Sequence, residues 1–334
     1  MTHSGLNSAS VGDDAGQPLS MEDVGRRTWL GDSHLLGIPR TTGFYFLDAD
    51  RPAVIETSAA AVSERVIGSL RAHGVDSVAF IVVTHIHLDH AGGAGLLAQE
   101  FPEAVVVVHE EGVRHLIDPS RLQASAARVF GEEEMLAHWG RLAPVPPDRI
   151  LVAADGDCLD LGDRTLEVIY SPGHAKHHIA LHDSETDGVF VGDSAGIYLS
   201  DFDYQTPSAP PPDLDPELAI ASLDRLLERD PEIAYFTHFG PGLPAAELIT
   251  EAQDQYRRWS EVALRAFQED GELASVARAL AERADPERRE LPGGIQEQLD
   301  RFTPHETAAS GFIHHFERLG ISPLSDGSTP PFKP

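Results

Sequence analysis

Three histidines and one aspartate crowd six positions of this chain, within Thr84-His85-Ile86-His87-Leu88-Asp89-His90-Ala91-Gly92-Gly93. Imidazole and carboxylate are the donors that suit zinc, iron or manganese. The stretch follows an apolar run, Val78 to Val83, that reads as a buried strand. In extended backbone, side chains at i, i+2 and i+4 share a face. His85, His87 and Asp89 therefore start out pointing one way. His90 points elsewhere and reaches a second centre if the loop turns into a helix there. A polar loop with chance histidines is the alternative, but four ligand-type residues at this spacing after a buried strand have no packing use.

Three later apolar runs also end on ligand-type residues. Thr165 to Tyr170 leads into Ser171-Pro172-Gly173-His174, Val189 to Val191 into Gly192-Asp193-Ser194, and Ile233 to Phe236 into Thr237-His238-Phe239. The His-x-His-x-Asp-His pattern with Gly92-Gly93, followed in this order by His174, Asp193 and His238, resembles the metallo-β-lactamase superfamily over roughly residues 27 to 242. The resemblance implies an α/β fold, a four-layer αβ/βα sandwich, with His85, His87 and His174 on a first metal. It further implies Asp89, His90 and His238 on a second metal, with Asp193 bridging. Glu56, at the end of the third expected strand, stands where the superfamily usually has Asp.

The implied activity is hydrolysis of an ester, thioester or lactone by a dinuclear centre. Two divalent cations about 3.5–4 Å apart share a water and lower its pKa to near 7. A bridging hydroxide then exists at neutral pH, and a metal polarises the substrate carbonyl. Asp89 is the candidate catalytic carboxylate, orienting the hydroxide and carrying a proton to the leaving group. Zinc is the expected metal, and iron and manganese fit the same donors.

The ligand set is similar to those of glyoxalase II-type thioesterases, acyl-homoserine lactonases and arylesterase-like members. Asp193, in place of cysteine, excludes a cysteine-ligated β-lactamase. Lactonases often carry Tyr three residues past the bridging Asp. Here that position is Gly196, and Tyr198 is the nearest candidate for substrate contact. His177, His178 and Tyr204 are further candidates for substrate contact or for support of the ligands, although His178 and His182 also alternate with Ile179 and Leu181 as on a half-exposed strand. Three other readings stand beside the hydrolase: a mononuclear iron persulfide dioxygenase, a non-catalytic ligand sensor on the same fold, and a phosphodiesterase.

Composition narrows the partners. The formal charge is −29 over 334 residues, and lysine occurs only at Lys176 and Lys333. Such a surface repels phosphate backbones, so nucleic acid is not expected and a small-molecule substrate is. No apolar run reaches a membrane-spanning length. Cys158 is the single cysteine, which rules out an intrachain disulfide and a thiolate-rich metal site. With no signal-peptide pattern at the N-terminus, the expected location is the cytoplasm.

The elements that must position these residues follow in order. Residues 1–22 read as a flexible tail and 23–244 as the catalytic domain. Strands are expected over Arg27 to Gly37, Thr42 to Asp48, Ala53 to Thr57 and Val105 to Val108. Helices are expected over Ala59 to His73, Ala91 to Gln99 and Ser120 to Leu142, the last with Phe130, Met135 and Trp139 as core. Residues 206–212, rich in proline, form either a rim over the pocket or a rigid connector. Residues 245–322 read as a helical extension, with helices over Ala245 to Phe267, Glu272 to Ala284 and His305 to Leu319. That extension either caps the active site or forms a homodimer surface. Residues 323–334 read as a flexible tail.

Overall fold

Strand Gly43–Leu47 shows how the sequence builds layers. Its side chains alternate, so Phe44 and Phe46 enter one core while Tyr45 and Leu47 enter another. Strand Gly188–Gly192 does the same, with Val189 and Val191 on one side and Phe190 on the other. In the computed structural model, which describes residues 17–324 and omits the side chains of residues 129 and 130, this alternation produces two sheets packed face to face.

The first sheet has seven strands in sequence order: Glu22–Asp23, Thr28–Asp32, Gly43–Leu47, Ala53–Ile55, Phe80–Val82, Val105–His109 and Ile150–Ala153. It begins antiparallel and becomes parallel from Ala53–Ile55 onward. The second sheet has six strands, ordered Gly240–Gly242, Ile233–Phe236, Gly188–Gly192, Ile179–Asp183, Thr165–Tyr170 and Cys158–Asp160. Between the sheets, Tyr45, Phe190 and Tyr235 pack with ring centroids 4.6–5.5 Å apart. Helices Ser63–Ala72 and Ala94–Glu100 cover the outer face of the first sheet. Helices Pro216–Leu227 and Ala245–Asp270 cover that of the second. The result is an αβ/βα sandwich.

The expected strands and helices form, with shifted ends. The first strand is shorter, because Leu35–Gly37 turns into a 3-10 segment. The helix expected over Ser120 to Leu142 is two, Ser120–Phe130 and Glu132–His138, broken at Gly131 with φ +89°. Met135 and Trp139 pack there against Leu88 and Ala60, as core. Helix Glu110–Ile117 was not expected; the His109 ring caps it, accepting from the Glu111 amide at 3.1 Å. Helix Pro216–Leu227 was also missed, although Asp215 accepts from the Leu218 amide at its start and Pro216 follows.

The N-terminal expectation falls largely on residues outside the described range. Of the remainder, Leu19 donates to Ser69 Oγ and Gln17 accepts from Arg65, so residues 17–21 lie along helix Ser63–Ala72. The C-terminal tail likewise falls mostly outside the described residues. The C-terminal helices share one continuous core with the second sheet. Ile249, Tyr256, Trp259 and Phe267 of helix Ala245–Asp270 join Phe312 and Phe316 of helix His305–Arg318, and with them Val189, Val191 and Phe236 of the sheet. A further helix, Gly293–Phe302, lies between the helices expected to end at Ala284 and to begin at His305, where none was expected.

Strands Thr165–Tyr170, Gly188–Gly192 and Ile233–Phe236 run in one direction, and each hands its following residue to the same edge of the sandwich. The first sheet joins that edge where the Ile179 amide donates to the Thr84 carbonyl at 2.8 Å. Carboxyl ends of strands are where such folds gather ligand-binding groups.

Candidate metal centre

His85 leaves its strand at this edge, and the chain then turns into the short helix Leu88–Ala91. That turn sends His87 towards His174 and His90 towards His238. Side-chain donors converge in three overlapping groups: His85 with His87 and His174; His85 with His90 and Asp193; and Asp89 with His90 and His238. Within each group the donor atoms lie within 4.8 Å of one another. His87 Nδ1 is 2.9 Å from both His85 Nε2 and His174 Nε2. His90 Nε2 and His238 Nε2 are 3.2 Å apart. Asp193 lies between the two sets, with Oδ1 3.1 Å from His90 Nε2 and 3.2 Å from His238 Nε2, and Oδ2 3.4 Å from His174 Nε2.

The far side of each ring sets its tautomer. His90 Nδ1 donates to Glu56 Oε1 at 3.0 Å, His238 Nδ1 to the Thr41 carbonyl at 2.6 Å, and His174 Nδ1 to the Ser208 carbonyl at 3.0 Å. In the neutral form of each ring the other nitrogen carries a lone pair, so Nε2, which faces inward in all three, is the nitrogen available to a cation. His85 Nδ1 contacts Thr84 Oγ1 at 3.0 Å, and that hydroxyl donates to Glu56 Oε1 at 2.5 Å. Glu56, fully buried, thus anchors His90 directly and His85 through one hydroxyl.

Lone pairs of several rings and the oxygens of Asp193 therefore face each other at close range. Asp193 Oδ1 is buried and makes no hydrogen bond. Such a polar cavity is costly unless a cation fills it, and the donor set fits two divalent ions. The electrostatics agree. Burial, with smaller effects from neighbouring rings, holds His85 and His87 well below the usual histidine range, and burial also lowers His174. All three are thereby neutral, the form that coordinates. Burial also opposes charge on His90, but Asp193, Glu56 and Asp89 outweigh it and push that imidazole well above its usual range. The pocket favours positive charge at that point.

His178 stands behind the cluster. Its Nε2 accepts from the Asp193 amide at 3.0 Å, and its Nδ1 contacts Ser171 Oγ at 2.8 Å. Gly192, at φ +51°, leaves room for this, since a Cβ there would come within 2.5 Å of the His178 ring. His177 is buried, its ring 6.2 Å from that of His87, and its Nδ1 has no hydrogen-bond partner. Burial lowers its pKa to about 4. Tyr198 and Tyr204 commit their hydroxyls elsewhere. Tyr198 donates to Asp203 and Tyr204 to both oxygens of Asp285. Tyr198 serves His238 through its backbone instead, bonding the His238 carbonyl and the Phe239 amide. Sequence reading missed Thr41 and Ser208. Ser208 also donates to Asp193 Oδ2 at 2.9 Å, so the proline-rich segment is a working wall of the centre.

Residues 50–238 match the family model of the metallo-beta-lactamase superfamily. The chain belongs to this superfamily. Among similar proteins, a metallo-beta-lactamase fold-containing protein of Sulfurisphaera tokodaii is 30% identical over 174 residues, covering 50% of this chain and 62% of that protein. An acyl-coenzyme A thioesterase of Gallus gallus is 36% identical over 118 residues, 34% of this chain and 40% of its own length. The matches thus span less than two thirds of either relative. The crystal structure of an archaeal superfamily protein from Sulfolobus tokodaii superposes with a TM-score of 0.60 at 24% identity, covering 82% of this chain and 93% of the other. This metallo-beta-lactamase-fold chain shares its architecture with that structure.

Proposed function

We propose that the protein is a dinuclear metal-dependent hydrolase that cleaves a small ester, thioester or lactone. The observation that carries this reading is Asp193, whose two oxygens face the two donor sets, Oδ2 towards His174 and Oδ1 towards His90 and His238. His85, His87 and His174 would hold one ion, Asp89, His90 and His238 the other, and Asp193 both. When bound, such a pair supplies Lewis acidity and a water acidic enough to ionise near neutral pH.

The remaining work belongs to the chain. Glu56, Thr41 and Ser208 fix three imidazoles by their Nδ1 atoms, so the inward nitrogens need no reorganisation. His178 holds the Asp193 backbone in place. His87 and Asp89 are half-buried while the other five residues are buried, so substrate enters from their side. Asp89 keeps 17% of its side chain exposed with Oδ2 3.6 Å from His238 Nε2. It is positioned to take a proton from the attacking water and pass it to the leaving group. The thioesterase among the relatives supports the thioester end of this range. The second donor set supports two ions rather than the single iron of a dioxygenase.

The test is a hydrolysis panel on the metal-loaded protein, with aryl esters, acyl thioesters, lactones and bis-p-nitrophenyl phosphate. Carboxylic substrates should be cleaved, and Asp89→Asn should lower kcat by roughly 10²–10⁴, the usual worth of general acid–base catalysis. Faster turnover of the phosphodiester, or unchanged kcat in Asp89→Asn, would contradict the assignment.

A further inference from the structure

Beside His238, helix Gly293–Phe302 of the C-terminal region closes over the turn after Ile197–Leu199 and over Phe239. A cavity of about 180 Å³ lies beneath it. Its walls are mainly apolar: Ile197, Leu199, Phe239, Ile295, Leu299 and Phe302. Two charged side chains reach it, Arg40 and Asp201, and they pair with each other at 2.8 Å. The Arg40 guanidinium also lies 4.6 Å over the Phe239 ring. The cavity therefore presents no uncompensated charge to a guest.

Its inner wall is one side chain away from the metal centre. The Phe302 ring lies 4.9 Å from that of His238. Thr41, which also lines the cavity, accepts from His238 Nδ1 at 2.6 Å. None of the seven ligand-type residues lines the cavity, so the link between the two is the Phe302 ring, which separates this neutral, hydrocarbon-lined space from His238. Apolar cavities stay dry and take apolar guests, and roughly 150 Å³ is enough for a benzene-sized one.

Resting on the hydrolase reading, we propose that this cavity is the specificity pocket for an unbranched, uncharged hydrocarbon chain of about six carbons on the substrate. Helix Gly293–Phe302 is the element that selects it. The chain belongs to the acyl part or to the alcohol part of the ester, and the two sources are separable by experiment. One methylene buried in an apolar pocket changes kcat/KM by roughly tenfold or more.

The experiment uses the full-length, metal-loaded protein. Kcat/KM is compared for p-nitrophenyl hexanoate against acetate, which varies the acyl side, and for hexyl acetate against ethyl acetate, which varies the alcohol side. The expected result is a preference of at least about tenfold for the longer chain in one arm. Ile295→Trp, at a half-buried wall position, and Leu299→Trp should both reduce that ratio to about threefold or less. In parallel, calorimetry with hexanoate and hexanol as probes should show binding of at least one, weakened by Ile295→Trp. Equal turnover of long and short chains in both arms, or a ratio that neither tryptophan alters, overturns the pocket. Absence of turnover on every ester, with probe binding that Ile295→Trp weakens, overturns the hydrolase reading and leaves the pocket standing.

Discussion

Glu56 is the residue on which both halves of the centre depend. Four donors converge on its carboxylate: His90 Nδ1, the Thr84 hydroxyl, the Thr84 amide and, at 3.4 Å, the Thr237 hydroxyl. A carboxylate only accepts, whereas an amide must present hydrogens to part of that ring of donors. Glu56→Gln should therefore fold but weaken metal binding by roughly 10–100-fold, as loss of such outer partners does. Titration of the metal-free protein with zinc measures this directly, and unchanged affinity would mean that Glu56 is only packing. The motif residues were legible because four ligand types in six positions have no other explanation. Glu56 was visible only as a departure from the expected Asp. Thr41 carried no signal, since it acts through a main-chain carbonyl that any residue possesses, and Ser208, which acts through its carbonyl and its hydroxyl, is one serine in a proline-rich stretch. His178 shows why pattern alone stalls. Alternation put it on a half-exposed strand, whereas it directly precedes strand Ile179–Asp183, is fully buried and braces Asp193.

At the scale of elements, the site survives only if the two sheets keep their register at one edge. A buried ion pair ties them at the other. Arg164 and Asp183 have fully buried side chains, bonded through Nε at 2.9 Å and again through Nη2. Arg164 also reaches the Thr28 hydroxyl in the first sheet, and Thr186 donates to Asp183 at 2.6 Å. Removing one partner leaves a buried charge unpaired, so Asp183→Ala should destabilise the fold by about 3–5 kcal/mol. Urea unfolding followed by circular dichroism checks it, and a loss below about 1 kcal/mol would show that water reaches the pair. Strands were read well from sequence because alternation is local. Helices Pro216–Leu227 and Gly293–Phe302 were missed for different reasons. The first had its cap, Asp215 with Pro216, but follows a proline-rich stretch that reads as connector. The second starts on Pro292-Gly293-Gly294, poor helix formers, and is held by tertiary packing of Leu299 and Phe302.

For the whole molecule, the helices after Pro244 are not separable from the sandwich by packing. Helix Ala245–Asp270 buries Ile249, Tyr256, Trp259 and Phe267 in the core of the second sheet. We propose that the catalytic unit extends through them, and a chain ending at residue 244 should express without a cooperative thermal transition. A sharp transition near that of the full protein would contradict this. The surface supplies a second expectation. A net charge of −29 repels itself, and salt screens that repulsion within a Debye length of about 10 Å at 0.1 M. Tm should rise as potassium chloride goes from low concentration to molar, and a flat or falling Tm would place the acidic groups in pairs or far apart. Among the described residues no helix is long and apolar enough to cross a membrane.

The measurement closest to the central claim is metal stoichiometry coupled to activity. Protein purified without chelator, analysed by elemental mass spectrometry and assayed on an aryl ester, should hold close to two divalent ions per chain. It should lose activity on chelation and regain it on reloading. Asp193→Ala, which removes the oxygens shared by both donor sets, should drop the count towards one or none. A chain that hydrolyses its ester at full rate while free of metal, or that saturates at one ion with all seven residues intact, would contradict the account.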